Sequence, residues 1–259
     1  MSHYTVAVFT TEDGQSVSDL LAPYDVGIQV APYVKQTRAQ LIQDARDVVQ
    51  LEFKGRYAEW RKDPEKYEAV CQNPEHIAYL KTIPGRLKWT DDQLYQEAIK
   101  HCESDALDSE GGLLTTCNPN SKWAGYVIGG FWDDLLLLKT KIRRNSALAS
   151  EVDFQAMRDE RIAKLPLYVE AMKNSFIKEK YIRERFPSEE EYIKLETSFY
   201  TYAVITPNGV WYAPGDVCWG GTSSETPVEE RKWILSYHER FIKPAIEKGW
   251  RITIVDCRI

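Results

Sequence analysis

Met1-Ser2-His3-Tyr4-Thr5-Val6-Ala7-Val8-Phe9 opens the chain, and its β-branched and aromatic run predicts a buried strand. The stretch from Arg251 to Cys257, with Ile252, Ile254 and Val255, has the same character and predicts a closing strand. Between them, Phe199 to Ile205, Pro207-Asn208-Gly209 and Val210 to Ala213 read as a hairpin with an Asn-Gly turn. These pieces predict an α+β class: an antiparallel sheet formed by both termini and the middle, with large helical insertions. The pattern is compatible with a ferredoxin-like core. In such a core the first and last strands are antiparallel neighbours, which would bring His3 near Asp256 and Cys257.

Helical signals fill the intervals. Thr37-Arg38-Ala39-Gln40 is a capping box, followed by Leu41, Ala45, Val48 and Val49 at helical spacing, predicting a helix near 38–54. Asp63-Pro64 starts a short helix through Val70. Glu75 to Ile83 reads as a helix stopped by Pro84, and Thr90-Asp91-Asp92-Gln93 caps another. Asp153 to about Arg185 is helical in pattern, with Pro166 expected to kink or divide it, and Pro187-Ser188 opens a short acidic helix. Thr226-Pro227-Val228-Glu229 predicts a helix near 227–247. No Gly/Ser linker marks a boundary, so residues 1–259 read as one α+β domain with a helical insertion at 36–110.

Composition narrows the function classes. Apolar content of 43% supports a packed core and argues against disorder. A net charge of −6 argues against a broad electrostatic grip on nucleic acid. The five cysteines form no CxxC pair, so neither a zinc site nor a disulfide framework is expected, and no cofactor motif appears. The start lacks a basic n-region and no run reaches the length of a membrane helix, so the expectation is a soluble, cytoplasmic protein with no membrane partner.

The richest motif is Asn118-Pro119-Asn120-Ser121-Lys122-Trp123-Ala124-Gly125-Tyr126-Val127-Ile128-Gly129-Gly130-Phe131-Trp132. Lys122 offers a point charge for a phosphate or carboxylate, and Asn118 and Asn120 offer amide donors and acceptors. Trp123, Tyr126 and Trp132 would supply stacking faces for a flat ligand, joined by Trp219 of Cys218-Trp219-Gly220-Gly221-Thr222-Ser223-Ser224. The competing interpretation gives the asparagines to the turn and the tryptophans to the core. The Gly-rich loop before Thr226 could cradle an anion, but it has no P-loop signature.

Carboxylates give the catalytic alternative. Asp256 could pair with Arg258 two residues on, or with His3 as an acid–base pair, with Asp133 or Asp134 assisting. Cys117 and Cys257 would be nucleophiles only beside a base, and His76, His101 and His238 sit singly with no ligand spacing. Arg158 to Lys164 and Lys173 to Arg185 read as solvated helix faces.

The opening Met1-Ser2-His3-Tyr4-Thr5-Val6, the motif Asn118-Pro119-Asn120-Ser121-Lys122-Trp123 with Ile128-Gly129-Gly130 and Trp132, and the ending Val255-Asp256-Cys257-Arg258-Ile259 resemble a family of phage- and prophage-encoded proteins. Asp63-Pro64, Lys88-Trp89-Thr90-Asp91 and Val210-Trp211-Tyr212 extend the resemblance over the chain. No established activity comes with it. The family pattern has Lys-Trp-Asp-Trp-Tyr where this chain has Lys122-Trp123-Ala124-Gly125-Tyr126, an arginine in place of Phe131, and a histidine in place of Arg258. Losing an acid, an arginine and a histidine while keeping the lysine and aromatics favours binding over turnover. Residues and resemblance together give the expectation of a phage-type accessory protein that binds a small anionic, nucleotide-like ligand, with sequestration against host defence as what the phage type implies. The alternatives are a nucleotide or phosphoester hydrolase, and an inhibitor that docks the helical insertion on a host protein.

Overall fold

The computed structural model describes residues 2–103, 106–168, 170, 184–217 and 223–259. The chain forms two compact units: Met1–Gln29 with Cys117–Ile259, and Val30–Thr116. It starts with β1 (His3–Thr10) and α1 (Val17–Leu21). Next come β2 (Gln29–Gln36), α2 (Arg38–Glu52), α3 (Ala58–Lys62), α4 (Pro64–Val70), α5 (Pro74–Arg86), α6 (Asp91–Ile99) and β3 (Leu113–Cys117). Then follow β4 (Gly125–Ile128), β5 (Leu136–Leu137), β6 (Arg143–Arg144), β7 (Ser146–Leu148), α7 (Phe154–Ile162) and α8 (Glu189–Thr197). The last elements are β8 (Ala203–Ile205), β9 (Trp211–Tyr212), α9 (Pro227–Tyr237), α10 (Lys243–Glu247) and β10 (Arg251–Arg258).

The fold is α+β, with the main sheet built from both termini and the middle of the chain in the order β4-β10-β1-β8-β9, and β7 also paired to β10. The first and last strands pair antiparallel along their length, from His3 opposite Arg258 to Thr10 opposite Arg251. β8 joins the other side of β1 in parallel, so the sheet is mixed and the all-antiparallel ferredoxin-like order does not form. The cause is the long connection between β1 and β8, which allows the crossover that parallel strands require.

Both faces of the sheet are covered. Tyr4, Val6, Val8, Val255 and Cys257 point into one core with Leu20, Leu21 and Trp123. Ala7, Phe9, Ile252 and Ile254 point into a larger one with Met157, Leu195, Trp233, Tyr237 and Phe241. Two-sided burial explains why β1 reads as an unbroken apolar run. The period of two puts Asp256 on the second face, because Val255 and Cys257 take the first.

Helix α9 begins as its sequence requires. The Thr226 hydroxyl accepts from the Glu229 N–H, and the Glu229 carboxylate accepts from the Thr226 N–H. Hydrogen bonding, first from the Thr226 backbone and then from its hydroxyl, holds the Glu229 carboxyl below its usual range. This contribution is present above the unfolded pKa and fades as the pH falls through the folded one. Thr226→Ala is expected to lower unfolding stability by about 1 kcal/mol in urea titrations.

The expected 227–247 helix is continuous but changes period, with a π segment at His238–Ile242 between α9 and α10. The wider turn keeps Phe241, Ile242 and Ala245 in the core and accommodates Pro244. Helix α7 ends at Ile162, ahead of Pro166, and much of its expected extension lies outside the described residues. In the hairpin only Gly209 takes a left-handed φ, 78°, with its N–H on Thr206 O at 2.8 Å; Asn208 does not. That is a three-residue loop with a glycine bulge, not a two-residue Asn-Gly turn.

In the Val30–Thr116 unit, α5 runs through Pro84 to Arg86, where the sequence reading stopped it at Ile83. The buried side of Ile77, Leu80 and Ile83, packed by Phe53, Tyr57 and Trp60, outweighs the lost backbone bond. Arg38 with Asp92 and Arg46 with Asp91 tie α2 to α6, at 2.6 and 2.5 Å. Among the described residues, no helix is long and apolar enough to cross a membrane.

Candidate functional site

The pairing of β1 with β10 places His3 over Asp256. His3 Nδ1 lies 2.9 and 3.0 Å from the two carboxylate oxygens of Asp256. The Asp256 side chain is 2% exposed and that of His3 is 25% exposed, so a buried acid holds a reachable base. The expected alternative, an Asp256–Arg258 pair, is not formed. Strand alternation sends both side chains to one face but leaves their tips apart, whereas His3, opposite Arg258 in the register, reaches Asp256 diagonally across the ladder.

The loop after β4 completes the arrangement. The Phe131 N–H donates to Asp256 Oδ2 at 3.2 Å, and the Phe131 ring meets the His3 ring edge-on with centroids 4.2 Å apart. Gly130 has φ +59°, and a Cβ there would lie 2.4 Å from Asp256 Oδ2. Only glycine lets this backbone come so close to the acid. Phe131 itself is 74% exposed.

Asp133 and Asp134 do not join this pair. The Asn145 side chain donates to Asp133 Oδ1 at 2.5 Å and accepts from the Asp134 N–H at 2.6 Å, while Asn145 O receives the Ile254 N–H. Asp134 occupies a left-handed φ of 54°. Both acids shape the loop that delivers Phe131, which a sequence reading of adjacent aspartates could not separate from catalysis.

His3 lines a cleft of about 420 Å³ together with Trp132, Arg161, Tyr200, Glu225 and Glu230. Burial lowers the Arg161 pKa and raises that of Tyr200. Burial raises Glu230 as well, against the opposing pull of Arg185 at 2.9 Å. The Tyr202 hydroxyl donates to Glu225 Oε2 at 3.1 Å, and the Tyr202 N–H to Thr5 Oγ1 at 3.1 Å. Groups perturbed by burial and gathered in a concave site mark it as the candidate functional site.

Sequence reading missed Arg161, Tyr200, Tyr202, Glu225 and Glu230. Arg161 sat in a stretch read as a solvated helix face. The one signal at hand was the alternation of Tyr200 and Tyr202, which sends both rings to the same side of an extended segment.

Among the described residues, those expected to form one ligand pocket at the central motif are not gathered into one. Trp123 is 7% exposed, its indole N–H donates to Leu21 O at 3.1 Å, and Tyr126 packs edge-on at 5.1 Å. Lys122 Nζ is held by Asp216 Oδ1 at 2.6 Å beside a smaller cavity of about 240 Å³. Asn118 is a buried clamp: its amide donates to Pro23 O and Asp25 O, and its oxygen accepts from the Asn120 N–H. Asn120 is exposed in the turn. Trp132 belongs to the His3 cleft and not to the Lys122 cavity. Trp219 and most of the Gly-rich loop lie outside the described residues.

The Cys257 thiol is buried, and burial followed by the Asp256 charge pushes its pKa far up, so it is no nucleophile. Among the described residues no group of three His, Cys, Asp or Glu is placed to hold a metal ion. No protein-family model, curated protein or solved structure matches the chain.

Proposed function

We propose that this protein is an acid–base enzyme, most simply a hydrolase, in which His3 takes a proton from water or a substrate hydroxyl inside the cleft. The observation that carries this reading is the buried Asp256 carboxylate on His3 Nδ1. Such a partner fixes the tautomer, stabilises the imidazolium formed on proton uptake and leaves Nε2 as the working nitrogen. Tyr200 and Arg161 supply hydrogen-bond donors for charge that develops on the substrate. Arg185 pairs with Glu196 and Glu230, which leaves Glu225 against Arg161 on the wall and favours a substrate of low negative charge over a densely phosphorylated one.

The resemblance to phage- and prophage-encoded proteins supports an accessory role in the cytoplasm of an infected cell, with a small nucleotide-like molecule as the target. Sequestration of that molecule is the reading left if binding is found without turnover.

The test is a hydrolysis screen with neutral aryl esters, phosphomonoesters and phosphodiesters, repeated on His3→Gln and Asp256→Asn. The expected result is turnover of the less charged substrates, reduced about 10²–10⁴-fold in His3→Gln. Turnover that survives His3→Gln unchanged would remove His3 from the chemistry.

A further inference from the structure

We infer that a second cleft, separate from the His3 site, binds a small amphipathic anion. It measures about 370 Å³ and lies among α7, α8 and α9. Arg158, Lys194 and His238 line it, and no carboxylate does. That is unusual in a chain with 39 acidic and 33 basic residues.

The cations are not consumed by the fold. Neither the Arg158 nor the Lys194 side chain has an ion-pair partner among the described residues. His238 has only exposed Glu239, 3.5 Å from Nδ1. The nearby Asp159 carboxylate is held by the Gln155 amide at 2.8 Å. Acceptors at the end of α8 are also occupied: Ser198 O by Arg161, Ile193 O by the Thr197 hydroxyl, and Lys194 O by the Ser198 hydroxyl. An anion entering the cleft therefore meets Arg158 and Lys194 with no carboxylate in the lining.

The rest of the wall is apolar. Ile234 and Ile242 are 3% and 1% exposed, and Phe154 and Phe199 stand edge to face at 5.1 Å beside Leu235. A simple inorganic ion would leave this surface wet. A ligand with a carboxylate or phosphate head and a short aliphatic or aromatic body covers both parts, and the volume lies in the range of small-molecule sites. Such a site fits the anionic ligand expected from the sequence, at a different place from Lys122.

The experiment is calorimetric titration of the full chain with octyl phosphate and with decanoate, each below its micelle concentration, using octyl glucoside as the neutral control. Saturable binding of at least one anion is expected, weakening with added salt. Arg158→Gln/Lys194→Gln should weaken it about tenfold or more. Both positions are exposed, so the variant should fold normally. Preference for octyl phosphate identifies a phosphate head, and equal binding of the two anions identifies any single negative charge. The inference is overturned if octyl glucoside binds as tightly as the anions, if the double variant binds unchanged, or if none of the three probes binds.

Discussion

Trp123→Ala is expected to lower the unfolding free energy by about 3–5 kcal/mol, the usual cost of removing a large aromatic side chain from a packed core. The indole is 7% exposed, lies in the cluster of Tyr4, Val255 and Cys257, and satisfies its N–H on Leu21 O. Truncation opens a cavity under the sheet and leaves a buried carbonyl without its donor, and the two losses act together. Trp123→Phe should recover most of the packing but not the hydrogen bond. Urea unfolding measures both. A Trp123→Ala loss below about 1 kcal/mol, far under the core range, would restore Trp123 as a surface available to ligands.

Gly130→Ala is expected to damage both stability and the His3–Asp256 pair. A non-glycine residue at φ +59° carries backbone strain of about 1–3 kcal/mol. The added methyl would also lie 2.4 Å from Asp256 Oδ2 and 2.5 Å from Asp256 Cβ, so the carboxylate or the loop must shift. Gly209→Ala is the natural control, because Gly209 has φ +78° but nothing within 4 Å of an added Cβ. The control should show the strain alone. Gly130→Ala should show a larger stability loss and, in addition, the loss of His3-dependent turnover. Equal losses in the two variants, with turnover intact, would show that the close approach of Gly130 does not position Asp256.

The His3–Asp256 pair was legible because it needs only one topological assumption, that the terminal strands are antiparallel neighbours. Once they pair from His3–Arg258 to Thr10–Arg251, alternation sends both side chains to the same side. The surroundings of Lys122 were not legible for the opposite reason. Its outcome depended on Asp216, 94 residues away, and on which way the indole of Trp123 turned. Exposed charge and buried aromatic have the same letters in either arrangement. The second cleft shows this from the other side, since Arg158, Lys194 and His238 lie on three helices and nothing local links them.

The sequence alone determined local events: the capping boxes at Thr37, Thr90 and Thr226, the apolar runs of β1 and β10, and the left-handed Gly209. Each depends on atoms within a few residues, where backbone sterics and short-range hydrogen bonds dominate. Tertiary structure decided that β8 runs parallel to β1, that α5 passes through Pro84, and that Asp216 neutralises Lys122. It also gathered Arg161, Tyr200 and Glu230 around His3. These outcomes depend on burial and charge shared between distant segments, which exist only once the chain has closed on itself.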